Sequence, residues 1–321
     1  MIQIQNSNPN GKTLVRVRPR GFCAGVVRAV EIVELTLEAY GAPVYVHHEI
    51  VHNRYVVEQL RKRGAIFVES LADVPHGAVM VFSAHGVPPS VRSEAAEREL
   101  KVIDATCPLV TKVHLEAIKF AREGRSIILV GHRDHQEIIG TSGEAPESTY
   151  VVENVEEVDR LEVPDPEKLA FLTQTTLSLY DTQEIVERLR ERFPKIAGPA
   201  SDDICYATTN RQEAVEALAK EVELVLVVGS ANSSNSNRLV EVAQRCGVKS
   251  YLIEDAGNVA GEQLTEVRSI GLTAGASAPE ILVEQVSDRL TALGFTNHKD
   301  LELIREDVRF SLPAELVAVS K

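Results

Sequence analysis

The strongest constraint on the fold is an internal repeat built around three cysteines. Cys23, Cys107 and Cys205 are separated by 84 and 98 residues. Each is followed by a segment in which apolar residues recur at i, i+3, i+4 and i+7, the period of an amphipathic helix. A glycine, aspartate or threonine suited to a turn or a helix cap stands shortly before each cysteine. The repeat therefore predicts three helices that begin at a thiol.

Two strands, each with a polar loop, follow every predicted helix. Residues at the matching position of the first loops are His52, His135 and Ser233, which lie 29, 28 and 28 residues after their cysteines. Residues at the matching position of the second loops are His85, Thr175 and Ser277, which lie 62, 68 and 72 residues after the same cysteines. The matched spacings predict six equivalent polar loops.

Alternating helices and short strands are typical of α/β proteins with parallel sheets. We expect three α/β units related by a pseudo-threefold axis, a trefoil in which each unit is a small parallel sheet flanked by helices. The loops would then meet at the carboxyl ends of the strands around one central cavity. The predicted bounds are 13–106, 107–204 and 205–295, with a C-terminal tail over 296–321 that packs back on the body. The alternative is three independent domains whose cysteines are small buried apolar residues.

Charge and hydropathy narrow the functional class. The chain has 321 residues with 34 basic and 47 acidic side chains, a net charge of −13. That balance disfavours a nucleic-acid partner, because a phosphate backbone needs a basic surface. The N-terminus lacks the pattern of a signal peptide, and the longest apolar runs are too short to cross a membrane. We expect a cytoplasmic protein whose cysteines stay reduced and serve as thiolates, metal ligands or core residues.

Three thiols at helix N-termini are well placed to ionise, because the helix dipole favours negative charge there. A set of three leaves one coordination position open. Zinc with an open site is one option, and a four-iron cluster whose apical iron binds a substrate oxygen as a Lewis acid is the other. No CxxC motif is present, so the spacing leaves both options open. Cys246 lies in a helical pattern away from any polar loop and is predicted to be structural.

Two polar loops indicate the ligand class. The segment SANSSNSN at 230–237 is dense in hydroxyls and amides and leads into a helix, which is typical of a phosphate or diphosphate site. The segment GHRDHQEIIGT at 131–141 contains Glu137, a candidate general acid. Its alternative interpretation is zinc ligation by His132 and His135. No GxGxxG or GxxxxGK[ST] motif supports a nucleotide cofactor.

Eight segments together resemble one family, the 4-hydroxy-3-methylbut-2-enyl diphosphate reductases known as IspH or LytB. The segments are PRGFCAGVVRAVE, HEIVHNRYVVE, FSAHGV, DATCPLVTKVH, GHRDHQEIIGT, TQTTLS, GSANSSNSNRL and GLTAGASAPE. They run in order from about residue 14 to the tail EDVRFSLPAEL, and so the resemblance covers nearly the whole chain. The chain departs from the family pattern at Val27 and His47, where the family has Asp and Arg.

The resemblance implies a [4Fe–4S] reductase of the non-mevalonate, or methylerythritol phosphate, route to isoprenoids, with a trefoil fold. It implies that the allylic alcohol diphosphate is converted to isopentenyl and dimethylallyl diphosphates with electrons from a ferredoxin or flavodoxin. The implied cluster ligands are Cys23, Cys107 and Cys205. The implied diphosphate-binding residues are His52, His85, His135, Ser233, Ser234, Asn235 and Ser277. The implied catalytic residues are Glu137, Thr175 and His135. Glu137 would relay the proton and Thr175 would orient the substrate hydroxyl. A zinc-dependent hydrolase of a phosphorylated molecule and a non-catalytic iron–sulfur sensor are the alternatives.

Overall fold

The structure, a computed structural model, describes residues 11–317. Within that range the strands are β1 (Thr13–Arg18), β2 (Val44–His47), β3 (Ala65–Val68), β4 (Val79–Phe82), β5 (Lys101–Asp104), β6 (Ser126–Val130), β7 (Thr149–Val152), β8 (Leu169–Thr173), β9 (Leu224–Val228), β10 (Lys249–Ile253), β11 (Ser269–Ala274) and β12 (Asn297–Glu302).

The α-helices of the described residues alternate with these strands. They are α1 (Ala24–Tyr40), α2 (Arg54–Lys62), α3 (Pro89–Glu97), α4 (Pro108–Arg122), α5 (Gln136–Glu144), α6 (Val155–Arg160), α7 (Leu179–Arg192), α8 (Tyr206–Ala219), α9 (Ser234–Arg245), α10 (Glu280–Ala292) and α11 (Ala314–Val317). Short 3-10 helices cover Leu71–Asp73, Pro146–Ser148, Ala256–Asn258 and Gly261–Leu264.

The chain divides into two compact units. The first comprises the described residues up to Cys23, residues 52–54 and residues 206–308. The second comprises residues 24–51, residues 55–205 and the described residues from Arg309 onward. No helix within the described part of the chain is both long and apolar enough to cross a bilayer.

The first unit contains a five-stranded parallel sheet in the order β10-β9-β11-β1-β12. Strand β9, which lies between β10 and β11, is buried along its whole length, because successive side chains enter two different apolar layers. Leu224 and Leu226 pack with helix α10, whereas Val225 and Val227 pack with helices α8 and α9. Helices on both faces explain why the strand LVLVV has no polar alternation.

The second unit contains two parallel sheets, in the orders β3-β2-β4-β5 and β7-β6-β8. Strand β6 repeats the two-layer pattern. Ile128 lies in an apolar layer with residues of α7, and Ile127 and Leu129 lie in another with residues of α4. The predicted α/β fold with three small parallel sheets flanked by helices is therefore confirmed.

Strand β1, which leads into Cys23, belongs to the five-stranded sheet formed otherwise by strands from the end of the chain. Strand β1 pairs with β11 and β12 rather than with β2, although the predicted first unit begins at residue 13. Strand β5, which leads into Cys107, likewise pairs with β4 of the sheet before it. Each of these two strands thus belongs to a different sheet from the one formed by the strands that come directly after its cysteine. The pseudo-threefold arrangement and the domain bounds, including the packing of the tail, stay predictions.

Candidate active site

All six loop residues matched by spacing lie between a strand and a helix. In the described residues His52 lies between β2 and α2, His85 between β4 and α3, His135 between β6 and α5, Thr175 between β8 and α7, Ser233 between β9 and α9, and Ser277 between β11 and α10. His135 and Ser233 are the N-caps of their helices, with side chains that accept from a backbone N–H in the first turn. The strand–loop–helix context predicted for these residues is therefore the observed one.

The three repeat cysteines stand at helix N-termini, as predicted. Cys107 is the N-cap of α4, and Cys23 and Cys205 come directly before α1 and α8. Their side chains are half-buried, whereas Cys246 is exposed at the end of α9. The positive end of the helix dipole favours a negatively charged ligand sulfur at each of these positions. Cys246 lies at the C-terminal end of its helix and lacks this stabilisation.

The backbone N–H of each repeat cysteine donates to a carbonyl of a second loop. Within the first unit Cys23 donates to Ala276 at 3.2 Å, next to Ser277. Within the second unit the amide of Cys107 donates to the carbonyl of Ala84 at 2.9 Å, and that of Cys205 to the carbonyl of Thr175 at 3.1 Å. The same backbone bond therefore joins every thiol-bearing segment to a predicted ligand loop.

In the first unit a cluster of hydroxyls joins three of the predicted segments. Ser236 donates to Ser233 from its amide at 3.3 Å and from its hydroxyl at 3.0 Å. The Ser277 hydroxyl donates to the carbonyl of His52 at 2.9 Å and lies 3.5 Å from the Ser233 hydroxyl. The structure thus brings the loops of Ser233, Ser277 and His52 together. Serine hydroxyls and the N–H groups at a nearby helix N-terminus are suited to binding an anion.

Asn235 is buried beneath this cluster. Its Oδ1 accepts from the amide of Ala276 at 2.8 Å, and its Nδ2 donates to the hydroxyl of Thr208 at 3.4 Å. Asn235 therefore supports the loop that also accepts from Cys23. Ser234, the first residue of α9, is half-buried.

Sequence reasoning missed Ser236 and Thr208. Ser236 is packed between two glycines: a Cβ at Gly229 or Gly275 would come within 2.2 or 2.0 Å of its hydroxyl. Those glycines come directly after strands β9 and β11, and a glycine directly after a buried strand was the available signal. Thr208 lies one turn into α8 and carried no comparable signal in the sequence.

In the second unit the carboxylate of Glu137 is buried against Thr175. Its Oε2 accepts from the Thr175 amide at 2.9 Å and from the Thr175 hydroxyl at 2.8 Å. Nδ1 of His135 accepts from the Glu137 amide at 3.2 Å, so a neutral His135 carries its proton on Nε2. The ring of His135 stands perpendicular to that of His85, with centroids 5.9 Å apart. The four predicted residues of this unit therefore form one connected group.

Burial changes the acid–base properties of two other side chains. It raises the pKa of Asp203 to about 7, against the opposing effects of Lys112 and of the Thr173 amide. It also lowers the pKa of His47 to about 4, with a further contribution from the adjacent His48. His47 is thus a neutral, buried residue at neutral pH. Val27, the other departure from the family pattern, is exposed on α1.

Among the side chains that the structure describes, no three of His, Cys, Asp or Glu are grouped closely enough to hold one metal ion. The predicted zinc alternative at His132 and His135 would need such a group.

Comparison with known proteins supports the same family as the motifs. The family model described as LytB protein matches residues 14–291. The chain belongs to the LytB family. A reductase of Escherichia coli O139:H28, named 4-hydroxy-3-methylbut-2-enyl diphosphate reductase, is 56% identical over 306 residues, 94% of this chain and 97% of the relative. An Escherichia fergusonii protein of the same name matches to the same extent.

Solved structures of the family agree with this assignment. The E-1-hydroxy-2-methyl-but-2-enyl-4-diphosphate reductase of Plasmodium falciparum is 42% identical, with a TM-score of 0.94 over 97% of this chain and 98% of that chain. A second structure, described as (E)-4-hydroxy-3-methyl-but-2-enyl diphosphate reductase, the terminal enzyme of the non-mevalonate pathway, is 32% identical with a TM-score of 0.62 over 88% of this chain and 99% of that chain. The predicted LytB resemblance, and with it an oxidoreductase of the isoprenoid route, is confirmed.

Proposed function

We propose that this chain reduces (E)-4-hydroxy-3-methylbut-2-enyl diphosphate to isopentenyl and dimethylallyl diphosphates. The C–O bond of the allylic alcohol breaks, two electrons and two protons are consumed, and the oxygen leaves as water. The observation that carries the proposal is the buried Glu137–Thr175 pair, whose threonine carbonyl accepts from the amide of Cys205. A buried carboxylate and hydroxyl beside a thiol-bearing segment are what proton transfer at this site would require.

Cys23, Cys107 and Cys205 are proposed to hold a [4Fe–4S] cluster. The donor set fits this group, because three thiol side chains, each at a helix N-terminus and half-buried, are soft ligands favoured by iron–sulfur clusters. When bound, such a cluster supplies electrons and an open iron that acts as a Lewis acid toward the substrate oxygen. The electrons would come from a ferredoxin or flavodoxin in the cytoplasm.

The substrate diphosphate is proposed to bind the polar loops identified from the sequence. Its proposed contacts are Ser233, Ser234, Asn235, Ser277, His52, His85 and His135. Asn235 also holds the Ala276 peptide in place. Hydroxyls and imidazoles bind an anion without the permanent charge of lysine, so the product diphosphate can also leave.

Glu137 and Thr175 are proposed to move the proton at the substrate hydroxyl. In the structure the Thr175 hydroxyl donates to the Glu137 carboxylate. A protonated Glu137 would reverse this bond and donate to Thr175, whose own hydroxyl proton could then pass to the substrate oxygen. A proton from Glu137 would then allow the oxygen to leave as water. Burial of both side chains limits competing protonation by solvent.

Anaerobic purification followed by a turnover assay tests this function. The expected result is iron and sulfide in about equal amounts, together with conversion of the allylic diphosphate by a chemically reduced dye. A colourless, air-stable protein that hydrolyses a phosphorylated substrate would instead support the zinc hydrolase. A coloured protein without turnover would support the sensor.

A further inference from the structure

Three basic side chains occupy matching sequence positions a few residues after the three cysteines. They are Arg28, five positions after Cys23, Lys112, five positions after Cys107, and Arg211, six positions after Cys205. Each lies about one turn into the helix that begins at its cysteine. Each also donates to backbone carbonyls in another part of its own compact unit. For each cation, the carbonyls that accept these bonds include ones in the segment just before the next cysteine of the series.

Arg28 bonds to the segment that leads into Cys107. Its Nη1 donates to the carbonyls of Ala105 at 3.3 Å and of Thr106 at 3.1 Å. These are the two carbonyls directly before that cysteine. Nε of Arg28 also donates to the carbonyl of Ser311 at 2.7 Å. One guanidinium thus joins α1 to the segment directly before Cys107.

Lys112 bonds to the segment that leads into Cys205. Its ammonium donates to the carbonyls of Ser201 at 2.6 Å and of Asp202 at 3.0 Å, and to the carboxylate of Asp203 at 3.0 Å. The second Asp203 oxygen accepts from the backbone amide of Thr173 at 3.0 Å. All three ammonium protons are thus used within four residues of that cysteine.

Arg211 bonds to the segment that leads into Cys23. Its Nε and Nη2 donate to the carbonyl of Gly21 at 3.1 and 2.8 Å, and Nη2 also lies 3.4 Å from that of Phe22. Glu306 accepts from the same guanidinium at 3.0 and 3.2 Å and balances its charge. The Arg211 side chain is completely buried.

We propose that these three cations are positioning residues for the cysteines. Each joins the helix behind one cysteine to the segment before the next, in the order Cys23 to Cys107, Cys107 to Cys205, and Cys205 to Cys23. The inference rests on the proposed function, in which the three thiolates share one cluster and must be held at fixed positions. Hydrogen bonds that only stabilised the fold would not need to follow the order of the cysteines.

Backbone amide exchange of the metal-free protein tests the order of these bonds. Lys112→Met should accelerate exchange in the peptide covering 201–205 by about tenfold, the loss expected when a charged donor is removed from two loop carbonyls and from the buried Asp203 carboxylate. Peptides over 20–23 and 104–107 should exchange as before. Arg28→Met should instead accelerate 104–107. Arg211→Lys, which keeps the charge of the buried residue but changes its donor geometry, should accelerate 20–23.

Lys119→Met is the matched control, because Lys119 lies on the same helix as Lys112 with a largely exposed side chain. It should leave all three peptides unchanged. Exchange that rises equally in all three peptides, or only in the helix that carries the substitution, would overturn the proposed order.

The rate at which the reconstituted protein loses iron tests whether these bonds hold the cysteines in position for the cluster. After anaerobic reconstitution, the Lys112→Met protein should lose iron to a chelator about tenfold faster than wild type, and Lys112→Arg should restore most of the difference. Iron loss at the wild-type rate would overturn the positioning role. A wild-type chain that binds no cluster would overturn the proposed function instead, and the exchange pattern, measured without metal, distinguishes the two failures.

Discussion

One carboxylate oxygen of Glu137 accepts both hydrogen bonds that Thr175 donates. The distances from Oε2 are 2.9 Å to the threonine amide and 2.8 Å to its hydroxyl. The carbonyl of the same threonine accepts from the amide of Cys205. Carboxyl, hydroxyl and the segment of the third repeat thiol therefore form one hydrogen-bonded series within the second unit.

Glu137→Gln should separate proton transfer from binding. The glutamine oxygen can still accept from the Thr175 amide, but the side chain has no acidic proton. We expect kcat to fall by about a hundredfold or more, while KM and the absorbance of the reconstituted cluster change little. Steady-state assays with a reduced dye measure this. Glu147→Gln, on an exposed residue, is the control, and full activity in the Glu137 variant would contradict the assignment.

Ser233→Ala should weaken binding of the diphosphate. The hydroxyl caps α9 and accepts from Ser236, so its removal should also cost about 1 kcal/mol of stability. We expect KM to rise about tenfold with a smaller change in kcat, the value of one charge-assisted hydrogen bond. Asn154→Ala removes the cap of α6 at a similar cost in stability and should leave KM unchanged. Equal KM effects in the two variants would point to stability rather than binding.

Cys107→Ser and Cys246→Ser should have opposite outcomes. The first removes a proposed ligand at a helix N-cap, so visible absorbance, bound iron and turnover should all be lost together. The second changes an exposed thiol, and all three measurements should stay at wild-type values. Iron and sulfide analysis after anaerobic reconstitution checks both. A Cys107→Ser protein with an intact cluster would refute the ligand assignment.

Because of His47, the free energy of unfolding should fall as the solution becomes acidic. Its pKa is lowered from 6.5 to about 4 in the folded chain, so below pH 6.5 the unfolded chain takes up a proton that the folded chain does not. The contribution of this pKa difference to the free energy of unfolding is fully present above pH 6.5 and is lost as the pH falls toward 4. Between pH 7.5 and pH 5 this amounts to about 2 kcal/mol.

Urea unfolding at several pH values, with His47→Gln as comparison, isolates this contribution from other titrating groups. The free energy of unfolding of the variant should fall by about 2 kcal/mol less than that of wild type over the same range. Parallel curves for the two proteins would show that the imidazole does not titrate as described.

Much of the local architecture follows from the sequence alone. The spacing of Cys23, Cys107 and Cys205 and the helical period behind them were sufficient to predict three helices that begin at thiols. The runs of β-branched residues before His135 and Ser233 were sufficient to predict strand, loop and helix. These features depend on neighbours in the chain, because side-chain period and capping are local properties.

The partners of those residues were decided only by the tertiary structure. Strand β1 pairs with β11, more than 250 residues later in the chain, because hydrogen bonding in a parallel sheet depends on which edge is available and not on proximity in sequence. The bonds of Arg28, Lys112 and Arg211 were equally hidden, since a basic residue on a helix is usually exposed to solvent. The sequence thus determined the residue types and their local elements, whereas the fold determined which distant carbonyls and hydroxyls they contact.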